Sequence, residues 1–127
     1  MDQIFPFKAL RHFTSSILKN MGCPEEQAAL ATEVLLSADL RGIDSHGVAR
    51  LSGYVRLWEA KRINPRPNIR VVHETPSTAV VDGDAGLGLV VGPKAMEIAM
   101  EKARIAGTGW VSVRNSKIET WAKNPSD

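Results

Sequence analysis

The sequence predicts an α/β chain, an α+β-like fragment in which an N-terminal helical region precedes a β-β-α-β unit. Three observations predict this class. Apolar residues recur every three to four positions through much of the first half, which is the spacing of amphipathic helices. The segment "NPRPN" at residues 64–68 ends this pattern, because closely spaced prolines favour an extended connector. Beyond it, short valine-rich runs lie between glycine-rich turns, which is typical of strands.

Three helices are predicted in the N-terminal region. The first covers residues 6–20, because its apolar residues fall on one face. The second covers residues 24–41 and has an alanine-rich face against which a neighbouring element can pack closely. The third covers residues 45–61, with Ser45 or Asp44 as a natural N-cap.

A hairpin, a helix and a further strand are predicted after the connector. They cover residues 69–74, 77–83, 93–105 and 110–114 in turn. From these elements we divide the chain into an N-terminal helical region at 1–63, the β-β-α-β part of an incomplete α/β domain at 69–114, and a divergent tail at 115–127.

The composition excludes several classes of function. The chain has 127 residues, 43% of them hydrophobic and 24% charged, which is the balance of a globular protein. The net charge is +2 and the basic residues are scattered, so we expect no binding of nucleic acid. No apolar run is long enough to cross a bilayer. Because Cys23 is the only cysteine and no secretory signal is recognisable, we expect a cytoplasmic protein with no cysteine-based metal site.

His46, Arg50 and Tyr54 are spaced four residues apart in the predicted third helix. Four residues in an α-helix turn about 400°, so the three side chains would share one slowly winding stripe. Arginine binds a carboxylate through paired hydrogen bonds, and histidine exchanges protons near neutral pH. The stripe therefore indicates a site for an organic anion. The same pattern also fits an ordinary solvent-facing side of a helix, and the spacing alone does not decide between the two.

A glycine cluster follows the second predicted strand, at Gly83, Gly86, Gly88 and Gly92. Its spacing, G-x-G-x-x-x-G from residue 86, is one residue too long for the dinucleotide-binding fingerprint. The strand before it also looks like half of a hairpin rather than the first strand of a β-α-β unit. We therefore interpret the cluster as a turn where backbone passes close to backbone. A small nucleotide-binding protein stays open as an alternative.

Two blocks of the sequence resemble a known family. They are "ADLRGIDSHGVARLSGYVRLWEAKRINPRPNIRVV" and "TAVVDGDAGLGLVVGPKAMEIAMEKARIAGTGWVSVRNS". Together they are similar to the malate/L-lactate dehydrogenases of the second type, a family that includes ureidoglycolate and sulfolactate dehydrogenases and cyclic-imine reductases. The resemblance runs from about residue 6 to Ser116 and corresponds to about the first third of a usual member.

The resemblance implies an oxidoreductase on a fold that is not of the Rossmann type. Such enzymes use NAD or NADP to move a hydride between nicotinamide and a 2-hydroxy/2-keto acid such as malate or lactate, and they are commonly homodimers. By position in the D-S-H-G block, the substrate-binding residues would be Ser45, His46, Arg50 and Tyr54. The cofactor-binding residues stay unknown.

The chain departs from the family after Ser116. The family pattern continues as N-S-x-H-F-G, and its histidine is the expected general acid/base, whereas this chain has Lys117 and Ile118 there. The absent histidine should cost about 10²–10⁴ in rate, and we expect this chain alone to be inactive. We interpret it as a truncated member whose end reflects a frameshift, a premature stop or an altered gene end.

The alternative function is a non-catalytic dimerisation or binding module derived from the family. Such a module would form a homodimer or pair with a full-length relative. The surface it would use is the alanine-rich face of the second helix, formed by Ala28, Ala31, Leu35 and Ala38.

Overall fold

The structure, a computed structural model, describes residues 3–117. In that part of the chain, α-helices and strands follow one another with two short 3₁₀ turns between the second and third helices. The elements are α1 Phe7–Asn20, α2 Glu25–Leu40, the 3₁₀ turns Asp44–His46 and Val48–Arg50, α3 Leu51–Glu59, β1 Arg70–Glu74, β2 Thr78–Leu87, α4 Gly88–Ala106 and β3 Trp110–Lys117. The α/β class and the β-β-α-β order are confirmed.

Helices α1 and α2 lie close to the predicted positions and pack against each other. Gly22 has a φ of +101°, a left-handed conformation that glycine adopts without strain, and the chain reverses there. The N–H of Cys23 then donates to the carbonyl of Leu18 at 3.1 Å. This bond satisfies a carbonyl at the end of α1 and fixes where α2 begins.

The alanine-rich face of α2 is buried inside the chain. Ala28 and Ala31 have no exposed surface and Leu35 is 1% exposed, and all three belong to the hydrophobic core. Small side chains allow α1 to pack closely against α2, as the sequence predicts. The proposed use of this face as a pairing surface is therefore wrong, because the chain already covers it with its own residues.

The third predicted helix is shorter than expected and begins later. Its α-helical part covers only Leu51–Glu59, and the two 3₁₀ turns precede it. Gly47 lies between those turns with a ψ of −143°, an extended conformation that interrupts the helical hydrogen bonding. The prediction of one helix from residue 45 is wrong because tertiary contacts at Gly47 override the local helical pattern.

The strands form one mixed sheet in the order β1-β2-β3. β1 and β2 pair antiparallel, so the predicted hairpin is confirmed. β2 and β3 pair parallel, with α4 as the crossover between them. β2 is thus both half of a hairpin and the first strand of a β-α-β unit, and the sequence interpretation that treated these as exclusive is wrong.

The glycine cluster lies within regular structure. β2 extends to Leu87 and α4 begins at Gly88, so the prediction that the helix begins at Pro93 is wrong. Asp84 and Ala85 have positive φ angles of 51° and 59°, and they form a bulge after which Leu87 pairs again with β3. Pairing with β3 therefore keeps a glycine-rich segment in the sheet, which the local sequence does not reveal.

β3 continues three residues beyond its predicted end. Gly86 pairs with Ser116 and Leu87 pairs with Lys117, so residues 115–117 of the predicted tail belong to the strand. The division of the chain into a helical region, an incomplete domain and a tail stays a prediction. Residue 118, where the family histidine is expected and Ile118 stands, lies outside the described residues.

The hydrophobic core joins the helical region to the β-α-β unit. Leu18 and Leu35 from the helices lie in one cluster with Ile63 from the connector and with Leu87 and Val90. This shared core fixes the loop between α2 and α3 relative to the sheet. Across residues 3–117, no helix combines the length and apolar character that a bilayer crossing requires.

Candidate functional site

The loop between α2 and α3, residues 44–50, brings three polar side chains together; we call it the 44–50 turn. The hydroxyl of Ser45 lies 2.8 Å from Nδ1 of His46. Nε of Arg50 donates to the carbonyl oxygen of Ser45 at 2.7 Å. Ser45 and His46 are exposed and Arg50 is partly buried. The turn thus presents an imidazole, a hydroxyl and a guanidinium at one surface.

Tyr54 is buried, unlike Ser45 and His46. It belongs to α3 and is only 5% exposed, and it packs in the hydrophobic core. The predicted helical stripe of His46, Arg50 and Tyr54 is wrong, since residues 46 and 50 belong to separate 3₁₀ turns. The structure groups His46 with Ser45 and Arg50 instead.

The carboxylate of Asp39 supports the turn from the last part of α2. Its Oδ2 accepts a hydrogen bond from the backbone N–H of Val48 at 2.8 Å. A Cβ at Gly47 would collide with both carboxylate oxygens, so a larger residue there would displace the carboxylate. Asp39 therefore satisfies a donor at the start of the second 3₁₀ turn, in the way that an N-cap side chain does.

Sequence reasoning missed Asp39, although two signals could have revealed it. An acidic residue near the C-terminus of a helix opposes the helix dipole, so it needs a compensating partner. Gly47 lies inside the predicted third helix, where glycine costs about 1 kcal/mol relative to alanine. The acidic residue at the end of α2 and the glycine at residue 47 explain each other. The carboxylate of Asp39 occupies the space that a side chain at residue 47 would fill.

The contact between Ser45 and His46 gives the imidazole two usable states. When Nδ1 carries the proton, it donates to the Ser45 hydroxyl, and Nε2 has a lone pair that can accept a proton from a substrate hydroxyl. When Nδ1 accepts from the hydroxyl, Nε2 carries the proton and can donate it to a carbonyl. The turn can therefore give or take a proton beside a fixed cation.

Two glycines of the cluster, Gly83 and Gly86, lie against other atoms of the chain. A Cβ at Gly86 would lie 2.7 Å from the ring of Pro67, and one at Gly83 would lie 2.9 Å from the carbonyl oxygen of Asn115. The chain itself fills both spaces, with backbone at Gly83 and a proline ring at Gly86. The interpretation as close packing of backbone thus holds at Gly83, whereas the predicted turn is wrong because the cluster belongs to β2 and α4.

The connector is held against the same segment by a carboxylate. Oδ2 of Asp84 accepts from the side chain of Asn64 at 3.0 Å and from the backbone N–H of Asn68 at 2.8 Å. The N–H of Asn64 donates to the carbonyl of Ala85 at 2.9 Å. This negative charge also disfavours a phosphate there, and the alternative of a small nucleotide-binding protein loses its support.

The other chemically active groups among residues 3–117 are a thiol and two histidines. Cys23 is a buried free thiol, and burial raises its pKa, so little reactive thiolate forms. His12 and His73 are exposed on α1 and β1. Between residues 3 and 117, no group of three or more histidine, cysteine or acidic side chains is arranged to hold a metal ion.

Comparison with known proteins gives consistent matches. The family model described as malate/L-lactate dehydrogenase matches residues 5–120. The L-sulfolactate dehydrogenase of Methanocaldococcus jannaschii is 49% identical over 100 residues, which are 79% of this chain and 29% of that protein. The malate dehydrogenase of Pyrococcus abyssi is 50% identical over 111 residues, which are 87% of this chain and 31% of that protein.

A solved structure shows the same fold. The malate dehydrogenase from Pyrococcus horikoshii OT3 superimposes with a TM-score of 0.85 at 45% identity. The superposition covers 89% of this chain and 32% of that protein. The chain thus spans about a third of the length of the relatives it matches.

Proposed function

This chain belongs to the malate/L-lactate dehydrogenase family, and on that premise we propose that it forms the substrate-binding N-terminal part of an NAD(P)-dependent 2-hydroxyacid dehydrogenase. Its relatives are dehydrogenases, so the lineage is that of an oxidoreductase. The reaction proposed is hydride transfer between nicotinamide and a small 2-hydroxy/2-keto acid. The alternative of a non-catalytic module is not favoured, since the face that it would use is buried.

The observation that carries the proposal is the grouping of Ser45, His46 and Arg50 in the 44–50 turn. A 2-hydroxy acid presents a carboxylate one bond from a carbon that bears a hydroxyl. A guanidinium and an imidazole held on one short turn offer a cation for the carboxylate and a hydrogen-bonding partner for the hydroxyl. Such a pair favours an organic acid over a neutral alcohol, because a guanidinium forms charge-assisted hydrogen bonds with a carboxylate and not with an alcohol.

Each residue has a proposed role. Arg50 pairs with the substrate carboxylate, and its contact with the Ser45 carbonyl fixes the direction of the guanidinium. His46 donates a hydrogen bond to the substrate carbonyl or accepts one from its hydroxyl, while the expected general acid/base is the histidine of the family's N-S-x-H-F-G pattern, where this chain has Ile118. Ser45 holds the imidazole through Nδ1. Tyr54 follows Arg50 by one helical turn, and since its ring is buried we assign it to the wall beneath the site.

A nicotinamide cofactor, NAD or NADP, supplies the hydride acceptor or donor when bound. At Gly83 and Gly86 the chain's own atoms fill the space that a phosphate would need. We propose that the part of a family member that corresponds to no residue of this chain binds the cofactor. We also propose a cytoplasmic location, from the sequence, and a homodimeric assembly, from the resemblance to the family.

A chimera tests the proposed function. Residues 5–117 of this chain replace the matching segment of the Pyrococcus horikoshii malate dehydrogenase, and reduction of NAD⁺ or NADP⁺ is followed by absorbance with malate, lactate and sulfolactate. We expect the chimera to oxidise at least one of these acids and His46→Asn to lower kcat/KM about tenfold, through loss of a hydrogen bond to the substrate. A folded chimera that oxidises none of them contradicts the proposal.

The 127-residue chain is the matched comparison. We expect it to show no turnover, because we assign cofactor binding to the two thirds of the relatives' length that match no residue of this chain. Turnover by this chain that His46→Asn abolishes would contradict the assignment of cofactor binding to the rest of the enzyme.

A further inference from the structure

The 44–50 turn has a backbone that its own sequence does not favour. Its local pattern predicts one continuous helix, yet the chain forms two 3₁₀ turns that are interrupted at Gly47. A continuous helix would place His46 and Arg50 four residues apart on its surface. The interrupted form instead brings Nε of Arg50 to the carbonyl of Ser45. A contact from outside the turn must therefore stabilise the interrupted backbone over the continuous helix.

Asp39 provides the contact that makes this selection. Its Oδ2 accepts the N–H of Val48, the first residue after the interruption. In the two-turn form this N–H would otherwise lack an acceptor at the start of a helix. The carboxylate also covers Gly47, which has no side chain to displace it. One side chain thus stabilises both residues at the break.

The end of α2 orients this carboxylate. The N–H of Gly42 donates to the carbonyl of Asp39 at 3.0 Å, and the N–H of Ile43 donates to the carbonyl of Ala38 at 2.8 Å. Gly42 has a φ of +75°, so the chain curls back over the last turn of α2. The loop that follows therefore passes over the side chain of residue 39.

We propose that Asp39 is a positioning residue, whose carboxylate holds the 44–50 turn broken at Gly47 and thereby sets the placement of His46 and Arg50 for a 2-hydroxy acid. This inference rests on the proposed function for the identity of the ligand. The claim that Asp39 holds the backbone of the 44–50 turn broken at Gly47 rests only on the contacts of Asp39. Asp39 acts through the backbone and is assigned no contact with substrate.

The kinetic test uses the chimera with Asp39→Ala and Asp39→Asn. Asparagine keeps an oxygen that can accept the N–H of Val48, whereas alanine does not. We expect Asp39→Ala to lower kcat/KM at least about tenfold, mainly through KM, because a small misplacement of binding groups weakens substrate capture. Asp39→Asn should keep kcat/KM close to that of the unsubstituted chimera. Glu33→Gln, which changes an exposed carboxylate on the same helix, is the control and should leave kcat/KM unchanged.

The structural test uses hydrogen exchange in the 127-residue chain and needs no activity. We expect the amides of residues 44–50 to exchange at least about tenfold faster in Asp39→Ala than in the unchanged chain or in Glu33→Gln. If Asp39→Ala does not fold, Gly47→Ala displaces the same carboxylate and should give the same faster exchange.

The outcomes separate this inference from the proposed function. If Asp39→Ala and Gly47→Ala leave both kcat/KM and the exchange of residues 44–50 unchanged, the positioning role is overturned. A loss of thermal stability with unchanged kcat/KM and unchanged local exchange also overturns it. If exchange depends on Asp39 but the unsubstituted chimera oxidises no 2-hydroxy acid, the proposed function fails and the role of Asp39 in the backbone stands.

Discussion

At the scale of single residues, the fold depends on a few side chains that hold loops against regular elements. Asp39 supports the 44–50 turn, and Asp84 holds the connector through Asn64 and Asn68. Both are carboxylates that accept backbone N–H groups, which are costly to leave unpaired when they lose water. Neither contact is visible in hydrophobic periodicity, because periodicity reports buried faces and not polar contacts between loops.

We expect Gly47→Ala to lower the free energy of unfolding by about 1–3 kcal/mol, since its Cβ would collide with the Asp39 carboxylate. Gly92→Ala is the matched control. Gly92 lies in α4, where an added Cβ would meet no atom within 4 Å. That change should stabilise the chain by about 0.5–1 kcal/mol, as alanine favours helix. Urea unfolding of both variants measures the difference, and equal effects would contradict the packing described for Gly47.

We expect Asp84→Ala to lower the free energy of unfolding by about 1–3 kcal/mol, because two donors of the connector lose their acceptor. Asp84→Asn should cost less, since asparagine keeps an acceptor oxygen and tolerates the φ of 51° at this position. Chemical denaturation of the two variants tests this order. A larger loss for asparagine than for alanine would show that the connector is held in another way.

We expect Asp82 to make stability sensitive to acid. The N–H of Asp84 donates to its Oδ1 at 2.8 Å, and this bond, aided by Arg114 at 3.1 Å, holds the pKa of Asp82 below its ordinary value of 3.8. Because the folded pKa is the lower one, the stabilisation is present above the ordinary value and is lost as the pH falls through the folded value. The stability difference between the unchanged chain and Asp82→Asn should therefore shrink below about pH 4. A difference that stays constant down to about pH 2 would exclude this account.

At the scale of elements, helices α1 and α2 and the hairpin could be predicted from the sequence, because their apolar periods and glycine stops act locally. The start of α4 and the break in the third helix could not. β2 continues through the glycine cluster because β3 pairs with it from more than twenty residues away. The third helix breaks because Asp39 contacts Val48 from the preceding element. Both errors occur where a contact between residues distant in sequence determines the backbone conformation.

The candidate site shows the same limit. The sequence predicted that His46 and Arg50 belong to one site, and the structure brings them together through Ser45. It predicted a helical stripe for them, and that geometry is wrong. Residue types could be identified because imidazole and guanidinium have distinctive chemistry. Their arrangement could not, since it follows from the broken turn.

We expect Lys102 to stabilise the packing of the β1–β2 hairpin against α4. Its side chain is only 13% exposed, and Nζ donates to Glu74 at 3.0 Å and to the carbonyl of Thr75 at 2.7 Å. Lys102→Met keeps the aliphatic stem but removes both bonds. Amide exchange in residues 70–78 should become several-fold faster in this variant. Lys94→Met, an exposed change on the same helix, is the control, and equal effects of the two changes would contradict the fastening role.

At the scale of the whole molecule, several large apolar side chains are exposed on the sheet and on α4. Trp110 and Ile105 are each 72% exposed, and Met96 and Met100 are more than half exposed. Within residues 3–117, β3 pairs only with β2 and forms an edge of the sheet. Such a surface favours association with other chains.

We therefore expect the 127-residue chain to self-associate in sedimentation velocity at tens of micromolar, and Trp110→Lys to reduce this association. The double variant Lys8→Gln and Lys19→Gln, which changes exposed charges on α1, should not reduce it. A chain that sediments as a monomer at these concentrations would contradict the expectation.

The central claim is that the 44–50 turn holds the carboxylate of a 2-hydroxy acid through Arg50. The most direct test is kcat/KM of the chimera with Arg50→Met, measured on the acid that the unsubstituted chimera oxidises best. Loss of a charge-assisted pair is worth about 1.5–3 kcal/mol, so we expect kcat/KM to fall roughly 10- to 150-fold with thermal stability close to that of the chimera. An unchanged kcat/KM in the folded Arg50→Met chimera would contradict the account.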